Sequence, residues 1–204
     1  MIIVKDLSVQ RLEKKIFENI NLTLTSGNIT ILKGKNGSGK TTLLKTILNI
    51  IEPTFGSIYW KGKILKKNLY DFYNHVTYIA DKTSSLKKLT IKDNINIWNR
   101  IFLSKINNSQ IETALKTLKL ENYLNQKVGT LSFGEIKKLE FLRLIIENKK
   151  FWILDEPLAN LDEESVELMK QTFEDHCAKE GSIIFSSHQN PGIHVTEEIN
   201  LYKL

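Results

Sequence analysis

The sequence predicts an α/β fold in which an antiparallel β subdomain opens the chain, an α/β core follows, and an α-helical lobe is inserted into that core. Three stretches carry the prediction. Residues 29–32, Ile-Thr-Ile-Leu, are a short apolar strand pattern that runs through a glycine-rich turn into a helical pattern with Leu43, Leu44, Ile47 and Leu48 on one side. Residues 151–154, Phe-Trp-Ile-Leu, are a second apolar strand that ends on two carboxylates, Asp155 and Glu156. Between them, about residues 86–128 hold helical patterns with no strand to separate them.

The 204 residues read as one domain, with a core at 1–85 and 129–204 and the lobe at about 86–128. Residues 2–7 suit a strand. Residues 16–24 alternate apolar and polar, as a half-buried strand does. Ser26-Gly27-Asn28 is turn chemistry. The helix after the glycine-rich turn should stop near Ile51, before Pro53, because the residue preceding a proline is driven out of the helical region. Residues 55–62 suggest a turn and a hairpin strand, and 75–80 another strand. In the lobe, Thr90 and Asp93 are placed to cap a helix through Ile95, Trp98, Ile101 and Phe102. Ser109 and Glu112 form a capping-box pattern before Ala114, Leu115, Leu118 and Leu120. A helix at about 134–147, a strand at 151–154, a helix at 163–176 and a strand at 182–185 complete the alternation.

Composition narrows the partners. The net charge is +6, from 29 Lys+Arg against 23 Asp+Glu, with much of the excess at 61–67 and 82–88. No aromatics interleave with these lysines as in a nucleic-acid reader, so a solvated face is expected and no nucleic acid. The single cysteine, Cys177, leaves no intramolecular disulfide and suits a reducing compartment. There is no signal-peptide pattern and no apolar run long enough to span a bilayer. Any membrane association is expected to go through a partner or through peripheral contact.

The chemistry concentrates in Gly34-Lys35-Asn36-Gly37-Ser38-Gly39-Lys40-Thr41-Thr42. Strand, glycine-rich turn and helix start are the setting of a phosphate-binding P-loop. Glycines let the backbone curl so that N–H groups face a polyphosphate, and the positive end of the new helix adds to that field. Lys40 is placed for the terminal phosphates and Thr41 for Mg²⁺, a hard cation that prefers oxygen. Strand ends of a parallel sheet line the ligand crevice, which places Asp155 on the metal and Glu156 on the water that attacks a γ-phosphate. His188 follows the next strand, where a neutral imidazole can donate to that phosphate; a structural hydrogen bond is the plainer reading of a lone histidine. Ser132 and Glu135 form a capping box before Ile136, Leu139, Leu142 and Ile146, and a helix entrance of this kind is also an anion site.

Taken in order, the P-loop, Leu131-Ser132-Phe133-Gly134-Glu135, Ile153-Leu154-Asp155-Glu156-Pro157, Asn160-Leu161-Asp162 and Ser187-His188 resemble an ABC-type ATPase subunit over essentially the whole chain. The resemblance implies a P-loop NTPase core, ATP and Mg²⁺ as ligands, and catalytic roles for Lys40, Glu156 and His188. It implies a homodimer that closes head to tail, with Ser132 and Gly134 of one copy on the γ-phosphate held by the other. It gives Asp162 a place at that interface, and integral membrane subunits as partners contacted through the helical lobe. Four positions depart from the family pattern. Glu135 stands for glutamine and Phe133 for glycine in the signature, Lys82 stands near the place of a glutamine, and Arg11 stands where a tyrosine stacks on adenine. A guanidinium can also stack on a base. An ammonium has no acceptor and cannot coordinate a cation, though it can pair with phosphate.

Within the family the chain is similar to the ATPase subunits of haem exporters used in cytochrome c maturation. The likeness rests on its short length after the histidine, the hairpin at 56–62, Arg11, residues 75–80 leading into 89–95, residues 151–157, and Ser187-His188-Gln189. That implies a location on the cytoplasmic face of a bacterial inner membrane or the matrix face of a mitochondrial one. The alternative is the ATPase subunit of an ABC exporter for another substrate, and two further rivals are weaker. A soluble P-loop phosphotransferase leaves the signature and Asp162 without a purpose. An ATPase acting on nucleic acid has only the net charge in its favour.

Overall fold

The computed structural model describes residues 1–102, 107–188 and 192–201. Two sheets and six helices alternate along these residues. The first sheet is antiparallel, in the order β2-β1-β4-β5, from β1 (Ile2–Arg11), β2 (Lys14–Leu24), β4 (Phe55–Trp60) and β5 (Lys63–Ile64). The second runs β6-β7-β8-β3-β9, from β3 (Ile29–Lys33), β6 (Val76–Ile79), β7 (Phe151–Leu154), β8 (Ser182–Ser187) and β9 (Glu197–Asn200), and every neighbouring pair in it is parallel.

The parallel sheet is covered on both faces, so its strands are apolar throughout rather than alternating. In β7, Phe151 and Ile153 point into one core with Trp60, Leu44 and Ile58, while Trp152 and Leu154 point into another with Leu139, Phe141 and Phe173. The first core lies between the two sheets and takes in α1 (Lys40–Ile47) and α2 (Leu69–His75). The second takes in α3 (Ile91–Ile101), α4 (Asn108–Thr117), α5 (Phe133–Glu147) and α6 (Glu163–Ala178). Trp60 ties the hairpin to the sheet, packing edge-on against Phe72 at 5.5 Å and Phe151 at 5.2 Å.

Several boundaries differ from expectation. Helix α1 ends at Ile47 instead of near Ile51, because Asn49 turns into the left-handed region (φ 56°) and the Ile50 and Ile51 N–H groups bond back to the Lys45 carbonyl. Helix α4 is capped by Asn107 and not by Ser109. The Asn107 side chain accepts from the Gln110 N–H at 3.0 Å, and Gln110 accepts from the Asn107 N–H at 3.0 Å. Ser109 donates to the Asn107 side chain instead. Helix α2 and strand β9 had no expectation; α2 is only 7 residues long and β9 points a single isoleucine inward. The Thr90–Asp93 and Ser132–Glu135 capping boxes are both present.

The chain enters and leaves the segment that holds α3 and α4 at one place. The N–H groups of Ile91 and Lys92 donate to the carbonyls of Gln126 and Leu124, and those of Val128 and Gly129 donate to the carbonyls of Leu89 and Lys87. The two crossings of the chain thus lie side by side as a short ladder.

The two candidate caps of α4 separate by mutation. Asn107→Ala is expected to lower stability by about 1 kcal/mol, and Ser109→Ala by less than about 0.5 kcal/mol. Urea unfolding midpoints of the two variants check the order.

Candidate functional site

Strand β8 lies between β3 and β7 and is parallel to both, so the three chains leave the sheet along one edge. The segment after β3 is the glycine-rich loop, that after β7 begins with Asp155 and Glu156, and that after β8 begins with His188. Sequence positions more than a hundred residues apart thereby meet.

The loop has no room for ordinary residues at two of its glycines. A Cβ on Gly34 would lie 2.5 Å from the Leu201 carbonyl oxygen. Gly39 caps α1 with φ 102°, and a Cβ there would lie 2.9 Å from Ile16 of β2. Lys40 is the first residue of α1 and is buried. Its ammonium donates to the Gly34 carbonyl at 2.7 Å and lies 3.4 Å from the Lys35 carbonyl, so it sits inside the curl of the loop. Among the described residues the buried hydroxyl of Ser38 has no partner.

Asp155 is 3% exposed and fully engaged. It accepts from the Thr41 hydroxyl at 2.8 and 3.0 Å and from the Ser186 hydroxyl at 2.7 Å. Ser186 also accepts the Glu156 N–H at 2.8 Å. Glu156 stands in the left-handed region (φ 47°), which turns its carboxylate out of line with β7. That carboxylate lies between two basic side chains, 3.4 Å from the Lys40 ammonium and 3.2 Å from the His188 ring. Lys40, Thr41, Asp155, Glu156 and His188 therefore form one connected cluster beside the loop.

The remaining predicted residues lie apart from the cluster. Ser132 caps α5 and its described side-chain bond goes to the Glu135 N–H at 3.3 Å. Burial pushes the Glu135 carboxyl up, but bonds from the Ser132 N–H and hydroxyl and from Tyr123 outweigh it and hold the group below its usual range. A Cβ on Gly134 would meet nothing within 4 Å, so this entrance is open. Arg11 is exposed at the end of β1, opposite Lys14. Lys82 is exposed and, with Asp81, Phe133 and Lys137, lines a cleft of about 470 Å³ beside α5. Asp162 caps α6, accepting the Ser165 N–H at 2.7 Å. Gln189 lies outside the described residues.

Two residues of the cluster escape sequence reasoning. Ser186 joins Asp155 to Glu156, and Lys137 of α5 donates to the Glu156 carbonyl at 3.1 Å. The only hint of Lys137 is the run Lys137, Glu140, Arg143 and Glu147, opposite charges three and four apart, which reads as a solvated face. All but Glu147 of these are under a tenth exposed as whole residues, and the Glu147 carboxyl side chain is 6% exposed. Glu140 accepts the N–H groups of Ser84 and Ser85 at 3.0 and 3.1 Å and the Ser85 hydroxyl at 2.8 Å, which fixes the loop after β6 on α5.

The donors suit a nucleotide with its cation. Thr41 and Asp155 present only oxygen, as a hard divalent ion requires. The loop supplies a buried ammonium, an unpartnered hydroxyl and the entrance of an eight-residue helix, as a polyphosphate requires. The ABC transporter family profile matches residues 17–159. The chain belongs to the ABC transporter family. It is an ABC ATPase subunit, built to bind nucleotide and to work with membrane-embedded subunits. It is 37% identical over 186 residues to the cytochrome c biogenesis ATP-binding export protein CcmA of Reclinomonas americana, a match covering 90% of this chain and 82% of that one. With the protein of the same name from Aliivibrio fischeri it shares 30% over 190 residues, 93% of each chain. A Pyrococcus furiosus chain described as an ABC transporter ATP-binding protein superposes with a TM-score of 0.85 at 27% identity, covering 98% of this chain and 96% of that one. Among the described residues no helix is long and apolar enough to cross a membrane.

Ser186 lends itself to a measurement. Ser186→Ala leaves the part-buried Glu156 N–H without its acceptor and the buried Asp155 without a donor, which is expected to cost about 1–3 kcal/mol. Ser182→Ala, on the same strand but with no hydroxyl partner among the described residues, is expected to change stability by less than about 0.5 kcal/mol. Chemical unfolding of both checks the contrast.

Proposed function

We propose that this subunit drives an exporter that supplies haem for cytochrome c maturation, by closing in pairs over ATP and opening after hydrolysis. The observation that carries the reading is the Glu156 carboxylate, held at the sheet edge between Lys40 and His188 and backed by Asp155. In this reading Lys40 and the backbone of residues 34–42 hold the phosphates, with Arg11 against the base. Thr41 and Asp155 hold Mg²⁺, which when bound neutralises phosphate charge. Glu156 orients the attacking water and takes its proton, and His188 donates to the γ-phosphate.

Ser132 and Gly134 support the paired arrangement. They sit at an open helix entrance outside the cluster, and anions are drawn to such entrances. A second copy, turned head to tail, brings its own entrance to the phosphates. Shifting an open pair to a mostly closed one takes about 5.5 kcal/mol of differential binding, a magnitude within reach of charge-assisted contacts made from both sides. The helical segment at about 86–128 then passes the motion to membrane subunits, with the ATPase peripheral on the cytoplasmic or matrix face. The names of the Reclinomonas and Aliivibrio relatives support the cargo assignment.

Glu156→Gln is expected to lower ATP hydrolysis at least about 100-fold and to trap an ATP-dependent dimer by size-exclusion chromatography; hydrolysis at the normal rate would remove Glu156 from this role. Lys40→Ala is expected to abolish ATP binding in a filter or calorimetric assay, and unchanged binding would overturn the loop's assignment. Loss of holocytochrome c in cells carrying Glu156→Gln, restored by the unaltered chain, checks the cargo.

A further inference from the structure

The main chain of Glu156 is held from two sides. Its N–H donates to Ser186 of β8 at 2.8 Å, and its carbonyl accepts from Lys137 of α5 at 3.1 Å. With φ at 47°, this residue has turned out of the strand path and can no longer use ladder bonds to fix its peptide groups. The Ala159 N–H also donates to that carbonyl, at 3.3 Å, so these contacts together set the direction in which the carboxylate leaves the chain, where Lys40 and His188 meet it.

Lys137 is an unusual anchor. It is 3% exposed, yet carries an ammonium. Besides the Glu156 carbonyl, that ammonium faces Asp81 at 3.8 Å and the Phe133 ring at 5.6 Å. It thus joins three segments: the loop after β6, the entrance of α5, and the end of β7. Burial pushes the amine down, while Asp81, Glu140, Asp155 and Glu156 pull the other way. A buried cation is tolerated only where such partners surround it.

We propose that Lys137 is a positioning residue for hydrolysis: it clamps the main-chain carbonyl of Glu156 and so ties the aim of that carboxylate to the entrance of α5. Ser132 and Gly134 lie about one helical turn before Lys137 on the same helix. A shift of that entrance, when it meets a phosphate, carries Lys137 and with it the Glu156 peptide. The inference rests on Glu156 being the group that orients water, and adds how that group is aimed.

The test uses the full chain with four changes: Lys137→Met, Lys137→Arg, Glu156→Gln, and Lys137→Met with Glu156→Gln. Rates are normalised to ATP-binding stoichiometry, so that loss of folded protein does not count as loss of catalysis. Lys137→Met is expected to lower kcat about 10- to 100-fold, the cost of a misaimed catalytic group, with KM for ATP changed less than about twofold. Lys137→Arg, which keeps a charged donor, is expected to recover most of the rate. In the Glu156→Gln background Lys137→Met is expected to add no further loss, because the group it aims has gone. A normal kcat in Lys137→Met, or equal losses in the Met and Arg variants, overturns the inference while leaving Glu156 in its role. A normal rate in Glu156→Gln alone removes the reading beneath it, and is seen without any Lys137 variant. Should Lys137→Met not fold, Lys137→Gln is measured in its place with the same outcomes.

Discussion

One serine hydroxyl holds the site together. Ser186 lies on the strand between the two that supply the loop and the carboxylates, and its oxygen donates to Asp155 while accepting from the Glu156 N–H. Asp155 in turn accepts from Thr41, the second residue of α1. The chain of bonds therefore runs from β8 through β7 to α1; its Ser186–Asp155 bond is buried, where low dielectric strengthens it and its loss would leave a buried group unpaired, while Thr41 at the far end is exposed. Asp155, 3% exposed, is tolerable there because its oxygens are engaged. Parallel strands make the arrangement possible, since antiparallel neighbours would have sent the three segments to opposite ends.

Much of this was readable from the sequence, for a physical reason. The functional residues sit where strand patterns stop, and apolar runs such as 29–32 and 151–154 mark those places without ambiguity. The two-faced burial of β7 explains why its four residues are all apolar. Glycines at 34 and 39 are legible because the backbone there is crowded against Leu201 and Ile16. What could not be read depends on partners distant in sequence. Ser186 resembles any strand serine until its neighbours in the sheet are known. Lys137, Glu140 and Arg143 carry the spacing of a wet helix face, and only the packing of the loop after β6 over them makes that face dry. The α4 cap was misplaced because Asn107 and Ser109 both precede a side chain able to close a box, and local pattern alone does not choose between them.

Helix α5 links these observations. It begins at the open entrance held by Ser132 and Glu135, passes Lys137 under Glu156, and then anchors the loop after β6 through Glu140. A helix is stiff over a few turns, so its entrance and both attachments move as one body. Buried charges on such an element carry a desolvation cost that apolar residues would avoid. What they provide is direction: each contact fixes a particular carbonyl or amide instead of merely filling space.

The side-by-side crossings at 87–92 and 124–129 have an architectural corollary. Because the backbone departs and comes home through a single stitched seam, the ring of chain beyond it is already closed at its root. Changing the size of that ring alters its closure entropy only as the logarithm of its length, about 0.6 kcal/mol for each doubling. Helical excursions of other lengths and surfaces can therefore be hung from this seam, giving one engine many possible couplings.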